Sequence, residues 1–226
     1  MKLGILYSGG KDSTLALVKA RKNHEIACLI TVVSENPHSF MFQTPNIHMT
    51  ELQAKAMGLQ LVQVQTKGEK EKELVQLKQA IQQAKKIHKI GGIVTGAVRS
   101  TYQASRMQRI CHELDLWCFN PLWLKDQGEL LDEVLQSKIK AIIGGVFAEH
   151  LDELFLGKEI DKKMVDKLKN LAETHKINAA GEGGEIETTV LDCPLFKKKI
   201  KIEKAETLYE NYSGTYAIID AKLVKK

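Results

Sequence analysis

Residues 8–14, Ser8-Gly9-Gly10-Lys11-Asp12-Ser13-Thr14, hold the densest group of side chains able to grip an anion. The paired glycines let the backbone turn tightly and come close to a bulky ligand. A helix that starts here offers unpaired N–H groups and the positive end of its dipole. Ser8, Ser13 and Thr14 add hydroxyls, and Lys11 adds a point charge. Charge-assisted hydrogen bonds contribute about 1.5–3 kcal/mol each, so a few converging donors hold a phosphate. Asp12 has the wrong sign for that task. It is read as a helix cap or as the ligand of a Mg2+ ion bridging phosphates. The chemistry expected of this loop is therefore phosphate binding with Mg2+, although it lacks the G-x-x-x-x-G-K-[ST] spacing of a Walker A loop.

Two downstream segments are expected to complete a nucleotide site. Thr31-Val32-Val33-Ser34 closes a β-branched run, where the backbone of Val32 and Ser34 could read adenine. Thr95-Gly96-Ala97 closes another, with Gly96 and Ala97 beside the sugar or base. Ordinary strand ends with a turn glycine are the alternative for both. The following helix puts Tyr102, Arg106, Arg109 and Glu113 on one polar stripe. Ala104, Met107, Cys111 and Leu114 form its apolar stripe. Tyr102 and Arg106, nearest the strand end, could orient a carboxylate through bidentate contacts. A solvated face with an Arg109–Glu113 pair is the competing reading. Further on, Gly181-Glu182-Gly183-Gly184-Glu185-Ile186-Glu187-Thr188 sets acids on a glycine loop. Glu182, Glu185 and Glu187 suit a cation, whether Mg2+, ammonium or a positively charged substrate group. An exposed turn is the alternative.

The elements that would position these groups alternate from the start of the chain. Strand-like runs at 3–7, 26–33, 61–64, 93–95, 117–120 and 141–147 are separated by helical patterns at 12–22, 47–57, 70–88, 102–114 and 130–137. Such alternation predicts an α/β fold, a parallel sheet flanked by helices, with ligands beyond the carboxyl ends of its strands. A helix at 161–174 and strands at 188–191, 199–202 and 216–223 predict a smaller C-terminal α+β lobe. The seam is expected near residues 121–126, giving an ATP-binding domain over 1–123 and a substrate-binding domain over 124–226.

Composition narrows the classes. The chain has 226 residues, 43% hydrophobic and 27% charged. No apolar run approaches the roughly 20 residues of a membrane-spanning helix. The first run is too short for a secretory signal, so a cytoplasmic protein is expected. Cys28, Cys111, Cys118 and Cys193 form no C-x-x-C pair, and Cys28 and Cys193 lie in apolar runs as small hydrophobes. The net charge of +5 is concentrated in Lys197, Lys198, Lys199, Lys201, Lys204, Lys225 and Lys226. No aromatic residues interleave with them, so a solvated face is expected rather than a nucleic-acid platform.

Residues 8–13 resemble the PP-loop, S-G-G-x-D-[ST], of ATP pyrophosphatases, which cleave ATP to AMP and pyrophosphate. Three segments together are similar to the diphthine–ammonia ligase (diphthamide synthase) family. They are residues 8–13, residues 96–106 continuing to Pro121-Leu122-Trp123, and residues 181–188 followed by Val190-Leu191-Asp192-Cys193-Pro194-Leu195-Phe196. The PP-loop alone marks the superfamily, while S-x-Y-Q-x-x-R and E-G-G-E-x-E-T narrow it. The resemblance implies a Rossmann-like PP-loop fold in a compact archaeal-type form. It also implies ATP-dependent amidation of diphthine on elongation factor 2 with ammonium, through an acyl-adenylate. Ser8 to Ser13 would hold pyrophosphate, and Lys11, Asp12, Tyr102, Arg106 and Glu185 would serve catalysis. Tyr102, Gln103, Arg106, Glu182, Glu185 and Glu187 would contact substrate. The sequence departs from the family at Gln43, where relatives often carry histidine, and at Ala104, where a basic residue is common. A PP-loop enzyme that adenylates a tRNA base and a non-catalytic nucleotide sensor are the competing readings.

Overall fold

In the computed structural model, residues 1–36, 45–69 and 71–226 are described, and Gln43 lies outside them. The elements run β1 (Lys2–Leu6), α1 (Lys11–Arg21), β2 (Glu25–Ser34), α2 (Met49–Met57), β3 (Gln60–Thr66), α3 (Glu73–His88), β4 (Gly92–Val94), α4 (Thr101–Glu113) and β5 (Trp117–Phe119). They continue with α5 (Gln127–Gln136), β6 (Lys140–Val146), a 3-10 turn at Glu153–Phe155, α6 (Lys162–His175), β7 (Ile186–Asp192), β8 (Lys199–Glu210) and β9 (Ser213–Val224).

The first five strands pair in parallel in the order β3-β2-β1-β4-β5. The chain winds from β1 out to β3, then returns to lay β4 on the other side of β1. That reversal opens a crevice beyond the carboxyl ends of β1 and β4, where ligands bind in open α/β sheets. On one face, Ile30, Val32 and Ile93 pack with Leu77 and Ile81 of α3 and with Met107 and Ile110 of α4. On the other, Leu3, Ile5 and Leu29 pack with Leu15 and Leu17 of α1 and with Ala54 and Met57 of α2. Each fully buried Leu or Ile contributes about 1.5–3 kcal/mol by transfer from water.

The last four strands form an antiparallel sheet in the order β7-β6-β9-β8. With α5 and α6 they make the smaller α+β lobe. The second of the two packed clusters runs without a break into Ile142, Ile143, Val190 and Ile218 of this sheet. The two sheets thus share one hydrophobic core, which fixes their relative position.

Some boundaries differ from the sequence expectation for identifiable reasons. Helix α5 starts three residues before the expected Leu130, because the Asp126 carboxylate caps it by accepting from the Glu129 N–H at 3.0 Å. Strand β8 runs to Glu210 rather than stopping at Ile202. Beyond Ile202 no residue of β8 is fully buried, so the apolar alternation that marks a strand fades in that arm. The β8–β9 hairpin closes through Asn211 and Tyr212 at φ 49° and 61°, the two positive values that a tight hairpin turn requires. Lysines of this hairpin are paired, Lys201 and Lys222 with Glu203 and Lys204 with Glu206. No helix among the described residues is long and apolar enough to cross a membrane.

Candidate active site

The turn between β1 and α1 sits at the crevice. Gly9 takes φ 80°, a conformation a side chain resists, and turns the chain toward α1. Its carbonyl accepts from Gln53 Nε2 at 2.9 Å and from the Val190 N–H at 2.9 Å. Gln53 also donates to the Val190 carbonyl at 2.8 Å, so one side chain ties the loop to β7. The Lys11 N–H donates to Thr188 Oγ1 at 3.0 Å, a second tie to the same strand. No side chain caps α1 at Gly10, so the positive end of its dipole faces the crevice.

The Lys11 ammonium is buried and donates to the Ala180 carbonyl at 2.5 Å and to Asp12 Oδ2 at 2.9 Å. Asp12 Oδ1 is buried and has no hydrogen-bond partner among the described residues. Ser8 and Ser13 bring their hydroxyls within 3.3 Å of each other. Thr14 lies beneath the loop, fully buried, with its hydroxyl 3.2 Å from that of Tyr7. Burial pushes the Tyr7 phenol well above its ordinary range.

A cavity of about 420 Å³ opens here. Ser8, Lys11, Asp12 and Ser13 form one wall, with Thr95, Gly96 and Ala97 at the end of β4. Val32 closes it from β2, and Gly181, Glu182, Glu187 and Thr188 close it from the second sheet. Gly96 abuts α1 so closely that a Cβ there would stand 2.7 Å from Ser13 N and 2.9 Å from the Asp12 carbonyl carbon. Only a residue without a side chain lets the end of β4 meet the start of α1 this closely.

The acids predicted together have three different settings. The Glu182 carboxylate lies on the cavity wall and accepts from the N–H groups of Arg99 and Ser100 at 2.9 and 3.0 Å. Desolvation raises its pKa, against the pull of those donors. Glu187 lines the cavity, and burial pushes its carboxyl up to about 7. Glu185 is not on the cavity wall. It accepts from Asn178 N and Nδ2 at 3.1 and 2.6 Å and from Gly183 N at 2.9 Å, bracing the loop from within.

The α4 residues also divide. Gln103 lines the cavity, and Ser100 lines it while capping α4 by accepting from the Gln103 N–H at 3.2 Å. Tyr102 and Arg106 lie off the cavity wall and converge on Glu71. Tyr102 donates to its Oε1 at 3.1 Å and Arg106 Nε at 2.8 Å, with the guanidinium stacked 3.4 Å above the Tyr102 ring. Arg106 and Tyr102 hold the Glu71 carboxyl below its usual range. Arg109 stands 4.0 Å from Glu113, the surface pair the stripe allowed. Ser34 is also off the wall, its hydroxyl engaged with Asn36.

Gln53 and Thr188 are the site residues that the sequence reading did not single out. Gln53 stands four residues after Met49 and four before Met57, on the buried stripe of α2. A glutamine on an apolar stripe is the signal that could have found it. Cys111 and Cys118 are both free thiols, and their mutual influence raises the Cys111 thiol and lowers that of Cys118. Burial raises Cys28 to about 12 and Cys193 to about 11, leaving both as protonated core thiols.

Comparison with known proteins adds an independent line. Residues 1–117 match the diphthamide synthase N-terminal domain, and residues 126–224 match the diphthamide synthase C-terminal domain. A diphthine–ammonia ligase of Homo sapiens is 36% identical over 229 residues, covering 92% of this chain and 85% of that protein. That of Mus musculus is 35% identical over 231 residues, with the same coverages of 92% and 85%. The Schizosaccharomyces pombe protein of that name is 34% identical over 243 residues, covering 100% of this chain and 40% of its own length. Among solved structures, a predicted subunit of tRNA methyltransferase from Methanocaldococcus jannaschii has a TM-score of 0.45 at 16% identity, covering 86% of this chain and 98% of that one. With both halves matched and a third of its residues shared with these ligases, the chain belongs to the diphthamide synthase family, whose members join carbon to nitrogen.

Proposed function

We propose that this protein is a cytoplasmic enzyme that converts diphthine on elongation factor 2 to diphthamide, spending ATP to activate the carboxylate. One observation carries the reading. A phosphate-type loop and a strand bearing acids face each other across one cavity, tied by the Lys11–Thr188 and Gly9–Val190 hydrogen bonds. Anion and cation sites so close together suit a reaction that brings a nucleotide and an ammonium nitrogen to one carbon.

In this reading, residues 1–123 form the ATP-binding part and residues 124–226 the substrate-binding part. The loop from Ser8 to Ser13 takes the β- and γ-phosphates, with Lys11 turning from Ala180 toward them. Val32, Gly96 and Ala97 flank the adenosine. Mg2+ would bind at Asp12, whose buried and unpartnered Oδ1 fits a hard cation, and would neutralise phosphate charge. The diphthine carboxylate attacks the α-phosphorus and pyrophosphate departs. A carboxylate does not react with ammonia directly, and joining it to AMP supplies a leaving group. Ammonia then attacks the carbonyl carbon and AMP leaves. Gln103 contacts the substrate from the wall, and Tyr102 and Arg106 contact it off the wall, where Glu71 now stands. Glu182 faces the positive groups of the substrate.

The test is to incubate the protein with ATP, ammonium and diphthine-bearing elongation factor 2. AMP release together with the mass decrease of amide formation is the expected result. AMP release that requires tRNA instead, or no AMP at all, would refute it in favour of base modification or nucleotide sensing.

A further inference from the structure

We propose that Glu187 is the group that receives ammonium in this site and takes its proton, releasing ammonia beside the activated carboxyl. The inference rests on the amidation reading and deepens it. Glu187 stands in β7 next to Thr188, whose hydroxyl holds the phosphate loop, and it lines the same cavity as Asp12. Its Oε2 is buried and has no hydrogen-bond partner among the described residues. The neighbouring acids are already engaged. Glu182 accepts from Arg99 and Ser100, Glu185 accepts from Asn178 and Gly183, and Asp12 gives Oδ2 to the Lys11 ammonium and its unpartnered Oδ1 to the proposed Mg2+.

A buried acceptor without a partner calls for a ligand that can donate a hydrogen bond. A trimethylammonium group has no N–H to give. Ammonium presents one in every direction and is small enough for a pocket closed by β7. Burial alone sets the acidity of Glu187, bringing it to about 7, where a base is both ionised in useful amount and strong enough to act. In the step, ammonium gives one proton to the Glu187 carboxylate. The nitrogen lone pair attacks the carbonyl carbon of the acyl-adenylate, and the carbon–oxygen bond to AMP breaks with its electron pair leaving on the phosphate. The nitrogen sheds its second surplus proton to water, and Glu187 returns its own to solvent.

The experiment compares Glu187→Gln with wild type in the full chain, with ATP and diphthine-bearing elongation factor 2, using ammonium chloride or hydroxylamine as nucleophile. Hydroxylamine is largely unprotonated at neutral pH and needs no base. The expected result is an about 100-fold loss of amide formation with ammonium and near wild-type hydroxamate formation with hydroxylamine. Glu187→Asp, which keeps a base on a shorter arm, should recover part of the ammonium rate. Unchanged rates with ammonium would overturn the proposal, as would equal losses with both nucleophiles. Wild-type ATP–pyrophosphate exchange separates the two levels. Without it the amidation reading itself fails, whereas with it a normal Glu187→Gln removes only the role of Glu187.

Discussion

Replacing Gly96 with alanine adds one methyl group at the tightest backbone approach in the site. The new Cβ would lie 2.7 Å from Ser13 N, 2.9 Å from the Asp12 carbonyl carbon and 3.0 Å from Ser13 Cα. All three are backbone atoms, so no side chain can swing aside and either β4 or the start of α1 must move. Gly96 does not sit in the left-handed region, so the effect is steric alone. Overpacking of this kind costs about 1–3 kcal/mol, which in a chain of this size lowers Tm by about 2–12 °C. Displacing the first turn of α1 also misaims the groups proposed to hold phosphate, and a shift near 1 Å at a reacting centre costs about 100-fold in rate. Thermal melts with and without ATP, paired with ATP–pyrophosphate exchange, measure both effects. Gly91→Ala is the control, because the atoms nearest its Cβ belong to the flexible Met1 side chain, the first at an ordinary 3.6 Å. A Gly96→Ala protein with wild-type Tm and wild-type exchange would refute the claim that this glycine exists to let β4 meet the loop.

The carboxyl of Glu187, raised by burial from 4.5 to about 7, binds its proton more tightly in the folded chain than in the unfolded one. Stability from this group therefore falls as pH rises from 4.5 to 7, by about 3 kcal/mol in all, and Glu187→Gln should melt above wild type at pH 8 but not at pH 4. Glu185→Ala removes three hydrogen bonds inside the loop, so ATP binding should persist while amide formation slows and the loop gains protease sensitivity. Wild-type turnover and cleavage would show that the brace is dispensable. Arg106→Lys loses the paired grip on a carboxylate and the stacking on Tyr102. It should raise KM for the protein substrate with Tm unchanged, and an unaltered KM would remove Arg106 from substrate binding.

The glycine turn before α1, the α/β order and the run of acids at residues 181–188 were legible in the chain alone because each is local. A turn needs its glycines side by side, and a helix or buried strand announces itself by the period of its apolar residues. The continuation of β8 beyond Ile202 was not legible, because none of its residues there is fully buried and no apolar alternation marks it. What the loop touches was equally hidden. Gln53 reaches Val190 across 137 residues of sequence, and Lys11 reaches Thr188 across 177. The three glutamates look alike in sequence, yet one is held by backbone donors, one braces its own loop and one has a buried oxygen with no partner among the described residues. Charge type and spacing are properties of the chain. Desolvation and hydrogen-bond partners depend on which segments the shared core presses together, and those are decided only when the two sheets close on each other.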